Sequence, residues 1–263
     1  MMTHDNTEEP AGKSANQGGA PGPAIKEAVA PKPVRRRRAW VFQSYLIATV
    51  IAFVTLGFFA HSVNYFPVDL SIMRAVQTLN VYPIDATMRF LTWLGYWPQA
   101  PLLSALVVLV VYFVGLRWEA VMTLASVGGG SLVVNAAKLV VNRPRPDANL
   151  VKVFAHLGDT SFPSGHVMFY VSLAGFLWFL CYTLFEHDRR RTLALWLLGV
   201  TIVLGGLSRI YLGQHWPSDV LGAYLLGSIW LTLMISIYRW GKPRYFVTQP
   251  VAAEAPVPGA ART

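Results

Sequence analysis

Three stretches of this sequence hold residues whose types and spacing suit chemistry on a phosphate. The first runs Lys138-Leu-Val-Val-Asn-Arg-Pro-Arg145-Pro146. The second is Pro163-Ser164-Gly165-His166. The third is Ser208-Arg209, then five residues, His215, three more residues and Asp219. Lys138, Arg145 and Arg209 bring three positive charges; Arg offers a planar fork that matches phosphate oxygens, and Lys a movable point charge. Ser164 and Gly165 stand where a helix would begin after Pro163. Their backbone N–H groups would form an anion site, and Gly165 lets a ligand approach the backbone. His215 and Asp219 are four apart. If one helical turn connects them, the carboxylate accepts Nδ1–H and leaves Nε2 unprotonated as a nucleophile. His166 is then a second imidazole that protonates a leaving oxygen, a contribution of typically about 100- to 10,000-fold. Cations around the transferring phosphoryl oxygens supply the rest.

Each stretch also has an ordinary reading. Lys138 alone reads as a basic side chain snorkelling to the headgroups. Pro-Ser-Gly reads as a turn, Pro-Arg-Pro as a loop, and His215 beside Trp216 as an interfacial structural residue. Two imidazoles and a carboxylate are also a known metal-ligand set, but three neighbouring cations oppose a divalent ion, so no metal or other cofactor is expected. Asn135 reads as an interhelical hydrogen-bonding group, and the Gly128–Gly130 run as a site of close helix packing. What favours the joint reading is the placement of all three clusters at one side of a membrane.

That placement comes from the elements. Charged residues make up 13% of the 263-residue chain, about half the usual share, and mean hydropathy is positive. The net charge of +9 does not point to nucleic acid, because the basic runs Arg35–Arg38, Arg189–Arg191 and Arg239/Lys242/Arg244 flank apolar stretches, as cytoplasmic loops do. The expected fold is an all-α membrane protein with six transmembrane helices, near Trp40–Ala60, Trp97–Leu116, Ala120–Val141, His166–Phe185, Thr192–Leu212 and Pro217–Tyr238. One or two short interfacial helices are expected between the first two spans. Asp69 would cap the first, with Leu70, Met73, Val76 and Leu79 on one face; Ile84, Met88, Leu91 and Tyr96 would line the second. Residues 1–38 form an expected disordered basic tail, 39–240 the membrane domain, and 241–263 a flexible cytoplasmic tail. Both termini are then cytoplasmic in a multi-pass protein of the cell (inner) membrane, with the three clusters on the outer, periplasmic face. The long apolar stretch near residue 40 does not have the form of a cleavable signal peptide. The single cysteine, Cys181, reads as a small apolar residue.

At the three clusters the sequence resembles the type 2 phosphatidic acid phosphatase superfamily. Lys138 with Arg145 and Pro146, the run 163–166, and Ser208, Arg209, His215 and Asp219 match its three-part signature, strongly over 138–219. The resemblance implies a six-span helical fold and metal-independent hydrolysis of lipid phosphates through a phosphohistidine. It makes His215 the nucleophile, Asp219 its orienting carboxylate and His166 the acid, with Lys138, Arg145, Ser164, Gly165 and Arg209 as the phosphate pocket. Asn142, Arg143 and Asp147 lie outside the signature and carry no expected role. A lipid phosphate or diphosphate of the undecaprenyl, phosphatidylglycerol phosphate or phosphatidate type is the expected partner, besides membrane lipids, and the residues do not choose among them or set an oligomeric state. Two rivals remain: a lipid phosphotransferase using the same site, and a non-enzymatic transporter or lipid binder, which would place its polar groups nearer the midplane. The superfamily also resembles soluble vanadium haloperoxidases at this pocket, an activity the membrane spans disfavour.

Overall fold

Long apolar runs broken by Pro, Gly and charge fold as helices. The computed structural model describes residues 32–155 and 157–245, and among them there is no strand. The helices are α1 (Lys32–Ser62), α2 (Pro67–Gln77), α3 (Tyr82–Leu94), α4 (Gln99–Phe113), α5 (Arg117–Val141), α6 (Gly165–Leu184), α7 (Arg189–Tyr211) and α8 (Pro217–Tyr245). The chain divides into two units, 1–45 and 46–263. The first is described only from residue 32, as the opening turns of α1; the second carries every other element. Residues 1–31 of the expected N-terminal tail, and the C-terminal tail beyond 245, lie outside the described residues.

Two domain boundaries shift. Residues 32–38, expected to be disordered, are the first turns of α1; Pro33 suits a first helical turn, and the arginines that follow are good helix formers. The last helix runs past residue 240, where Lys242 bonds Glu119 on α5 at 2.5 Å and Tyr238 at 2.9 Å.

Five helices (α1 over Arg36–Ser62, α5, α6, α7 and α8) are long and apolar enough to cross a bilayer. The expected second span differs. Its apolar stretch Trp97–Leu116 yields only the 15-residue α4, about 22 Å long and short of the hydrocarbon core. It is joined to α3 with a bend of 73°, and the pair makes a sixth span when taken together. Gly95 ends α3, Pro98 sits at the start of α4, and Gly115 at φ +93° ends it. The two interfacial-type helices form as expected, but Asp69 is not the cap of α2: Phe66 is, and Asp69 is the third helical residue, its carboxylate accepting the Phe66 N–H at 3.4 Å.

The centre of the second unit is α6, the most buried of the spans. Its middle holds a π turn, Val171–Gly175. Glycines on three neighbours let it be surrounded closely: a Cβ on Gly130 would stand 2.4 Å from Ser172, one on Gly205 2.4 Å from Tyr170, and one on Gly227 2.8 Å from Val171. The expectation for the triple-glycine run thus holds for Gly129, against Trp230, and Gly130, while Gly128 faces open space. Outward residues such as Leu132, Leu139, Val140 and Trp196 are exposed and apolar, the composition of a lipid-facing surface. Consecutive helices α5 to α8 carry expected site residues at one end: the last turn of α5, the first turn of α6, the last turn of α7 and the first turn of α8.

Candidate active site

Local chemistry places each side chain. Helix α5 ends at Asn142, a left-handed cap (φ 46°, ψ 44°) whose N–H returns to the Lys138 carbonyl. Asn tolerates that conformation, and the Pro144 and Pro146 that follow deny the helix a continuation. Lys138 is thereby left in the last turn, and Arg143 and Arg145 on the extended exit. Between α7 and α8, Gly213 (φ +68°) turns the chain so tightly that a Cβ would meet the Lys152 carbonyl at 2.0 Å. That turn brings His215 back beneath the end of α7. Asp219 accepts the Trp216 N–H at 2.8 Å and so closes the first turn of α8.

The structure brings the eight expected residues into one region. The Arg145 Nη1 lies 3.2 Å from His215 Nε2 and donates to the Gln214 carbonyl at 2.6 Å. A donor against Nε2 matches an unprotonated Nε2, with the ring proton on Nδ1. A Cβ on Gly165 would lie 4.0 Å from the Lys138 side chain. His166 meets the Tyr96 ring edge-on at 4.8 Å and sets its Nε2 3.2 Å from the Thr92 carbonyl. The Arg209 guanidinium is fully buried, 5.5 Å from the Tyr96 ring centre, and its three nitrogens have no hydrogen-bond partner among the described residues. The Ser164 hydroxyl is likewise buried without a partner. Buried donors of this kind are expensive unless an acceptor satisfies them, and a phosphate supplies such acceptors.

Two details depart from the sequence-based expectation. The Ser164 N–H is not free for a ligand, since it donates to the Asp219 carbonyl at 3.2 Å; its hydroxyl is the group left available. The His215 Nδ1 to Asp219 Oδ2 distance is 3.6 Å, too long for a hydrogen bond. Ser161 stands between them, its hydroxyl 2.5 Å from Asp219 Oδ2 and 3.5 Å from His215 Nδ1.

Several residues of the site were missed. Arg143 is 1% exposed, and its guanidinium donates to Asp219 Oδ1 at 2.7 Å, Ser218 Oγ at 2.7 Å and Asp69 Oδ2 at 3.1 Å. Asp69 in turn accepts the Ser218 N–H at 2.9 Å and its hydroxyl at 2.5 Å. Asp219 is thus held on both oxygens, Oδ1 by Arg143 and Oδ2 by the Ser161 hydroxyl and the Trp216 N–H. Asp159 bridges Lys138 Nζ at 2.7 Å and Arg145 Nη2 at 2.6 Å. The only signal for Arg143 was its place in the Arg-Pro-Arg-Pro run; Asp69, Ser161 and Asp159 had none, because their partners are distant in sequence.

Electrostatics favour a neutral His215. Burial, then the charges of Arg145, Arg209 and Lys138, hold its pKa well below the usual value near 6.5, with Asp159 opposing. For Asp159, burial pushes the carboxyl up, but the Lys138 hydrogen bond and charge, with Arg145 behind them, outweigh it and hold the pKa at about 2. Among the described residues no three His, Cys, Asp or Glu side chains converge as metal ligands.

A cavity of about 720 Å³ joins this polar end to an apolar channel between α4 and α5. Lys138, Arg145, His166 and His215 line the polar end, and Trp97, Pro101, Leu124 and Val134 are among the walls of the channel. A neutral imidazole nitrogen with Lys138 and Arg145 at the head of an apolar channel, and the buried Arg209 guanidinium in the same cluster, suit transfer of a phosphoryl group from an amphiphile.

Residues 119–243 match the family model described as the PAP2 superfamily. The chain is 29% identical over 189 residues to phosphatidylglycerophosphatase B of Bacillus subtilis (strain 168), an overlap covering 69% of this chain and 88% of that protein. It is 28% identical over 168 residues to undecaprenyl-diphosphatase BcrC of the same organism, covering 61% and 79%. The crystal structure of the first transmembrane PAP2 type phosphatidylglycerolphosphate phosphatase from Bacillus subtilis matches with a TM-score of 0.64 at 25% identity, over 77% of this chain and 98% of that one.

Proposed function

Residues 119–243 of this chain belong to the PAP2 superfamily, and from that premise we propose that the protein is an integral membrane phosphatase hydrolysing lipid-linked phosphate monoesters or diphosphates through a phosphohistidine. The observation that carries the site assignment is the His215 Nε2, buried, kept neutral and 3.2 Å from Arg145, in the same cluster as an Arg209 guanidinium whose donors are unengaged.

The chemistry follows from these positions. His215 Nε2 attacks phosphorus as the bond to the lipid-bearing oxygen breaks. Arg145, Arg209, Lys138 and the Ser164 hydroxyl neutralise the equatorial oxygens, where the charge spreads. The Asp219 carboxylate, fixed by Arg143 and acting beside Ser161, stabilises the imidazolium that forms. The Thr92 carbonyl only accepts, so it keeps a proton on His166 Nε2. His166 therefore enters the step doubly protonated: its Nδ1 proton passes to the leaving oxygen, and the ring is left neutral with Nε2–H on the Thr92 carbonyl. In the second half-reaction Nδ1 takes a proton from water, whose oxygen attacks phosphorus and releases His215 and inorganic phosphate. The headgroup sits at the polar end of the cavity and an acyl or prenyl chain along the apolar channel between α4 and α5.

The site is assigned to the outer face of the membrane, with both termini in the cytoplasm. Supporting this, the basic run Arg189–Arg191 begins α7 and Arg209 ends it, so the run and the site stand at opposite ends of one span. The test of function is phosphate release from a panel of lipid phosphates in detergent with excess chelator. The native chain is expected to turn over, His215→Ala to fall to background, and acid-labile phosphate to be trapped on the native chain but not on that variant. Full activity of His215→Ala would overturn the assignment.

A further inference from the structure

Resting on the phosphatase reading, we propose that Asp159 is a built-in anion that competes with the substrate phosphate for Lys138 and Arg145, and so sets how strongly a headgroup must be charged to hold the site. Its two carboxylate oxygens are divided between the two cations, Oδ2 at 2.7 Å from Lys138 Nζ and Oδ1 at 2.6 Å from Arg145 Nη2. Two oxygens of a phosphate would divide themselves in the same way. The side chain is 57% exposed, whereas those of Lys138 and Arg145 are 10% and 13% exposed. It therefore covers the cations from the solvent side and has room to rotate away. Its backbone does not need to move: the Asp159 carbonyl accepts Arg145 Nε at 2.9 Å, the Thr160 carbonyl accepts Lys138 Nζ, and the Ser161 N–H bonds the Arg143 carbonyl at 2.8 Å. Asp219 differs on every point, being buried and bonded to Arg143, Ser161 and the Trp216 N–H.

Charge counting gives the consequence. Lys138, Arg145 and Arg209 carry three positive charges, and Asp159 reduces them to two. A monoester dianion is matched by the reduced pocket. A diphosphate, with more negative charge, gains by having the carboxylate aside. The low pKa of about 2 keeps Asp159 ionised over the working range, so the competition does not switch with pH. Exposed ion pairs are worth a factor of roughly two to five each, and two are broken.

The experiment uses the full chain in detergent, comparing the native protein with Asp159→Asn and Asp159→Glu. Readouts are the KM for a lipid monophosphate and a lipid diphosphate, and the inhibition constants of inorganic phosphate and vanadate. Asp159→Asn is expected to lower KM and both inhibition constants by roughly three- to tenfold, more for the diphosphate, while Asp159→Glu stays near the native values. Unchanged constants would overturn the proposal. Raised constants would also overturn it, making Asp159 a group that positions Lys138 and Arg145. If the native chain releases no phosphate from any lipid, the phosphatase reading has failed by itself. Line broadening of inorganic phosphate in ³¹P spectra then still decides: tighter binding to Asp159→Asn supports the competing anion, and equal or weaker binding sinks it.

Discussion

At the scale of single residues the proposed mechanism depends on keeping one imidazole uncharged among cations. Protonation of His215 would remove the nucleophile, and burial with Arg145, Arg209 and Lys138 makes that protonation unfavourable. The acid limb attributable to His215 in kcat/KM should therefore lie below pH 6.5, the ordinary histidine value. The sign can be tested in both directions. Lys138→Gln removes a cation and should move the limb up; Asp159→Asn removes the opposing anion and should move it down. The second ionisation of the substrate, near pH 6, is common to both variants, so the difference between their pH–rate profiles reports His215. Limbs that coincide would refute the electrostatic account. Arg143 makes a second case. Its buried guanidinium holds Asp69 and Asp219 together, and removing one partner of a buried pair costs about 3–5 kcal/mol. Arg143→Ala should lower Tm in detergent strongly and cut kcat as well, because Asp219 loses its anchor. A native Tm would show that the pair carries no such weight. The eight residues of the three clusters were legible because their spacing is local. Arg143, Ser161 and Asp159 were not, since a polar or charged residue in a loop has no pattern that names its partner, and the Asp69–Ser218 bond joins residues 149 apart.

At the scale of elements, helix ends and turns aim the side chains. Gly95, at the end of α3, shows this best: a Cβ there would stand 2.3 Å from the His166 ring. Its backbone is in the ordinary helical region, so Gly95→Ala should fold. The methyl would push the imidazole off the Thr92 carbonyl. The variant, like His166→Ala, is expected to retain only slow turnover confined to good leaving groups, while keeping a near-native Tm. Native kcat on a poor leaving group would disprove the contact. The apolar runs revealed α1 and α5 to α8 by length alone. They hid the bend between α3 and α4, because apolar content does not register a break. Pro98 and Gly115 were the physical signals, and they cut Trp97–Leu116 to a helix too short to cross alone. Asp69 was misread as a cap because its carboxylate does bond a helix-start N–H, but from inside the helix.

At the scale of the whole molecule, the residues of the candidate site gather at one end of a helical domain, and the ion pair Glu119–Lys242 ties α5 to α8 at the other. Orientation in the membrane follows from which end is which. In a Cys181→Ala background, Asn149→Cys, exposed in the loop after α5, should react with an impermeant maleimide on intact cells. His187→Cys, exposed in the turn before α7, should react only after permeabilisation. The reverse pattern would invert the topology.

The π turn at Val171–Gly175 has a consequence for how α6 is laid out. A regular helix advances about 100° per residue, and a π turn accommodates one residue more than a regular turn. The two halves of α6 therefore have different angular origins. One half directs His166 to the polar end of the cavity, the other directs Phe176, Phe179 and Leu180 into a separate apolar cluster. Removing one residue from the π turn would restore a continuous helix of good geometry, yet rotate the imidazole about a quarter-turn from its target. The widened turn acts as a phase offset between catalysis and packing, so either half can change its sequence without re-aiming the other.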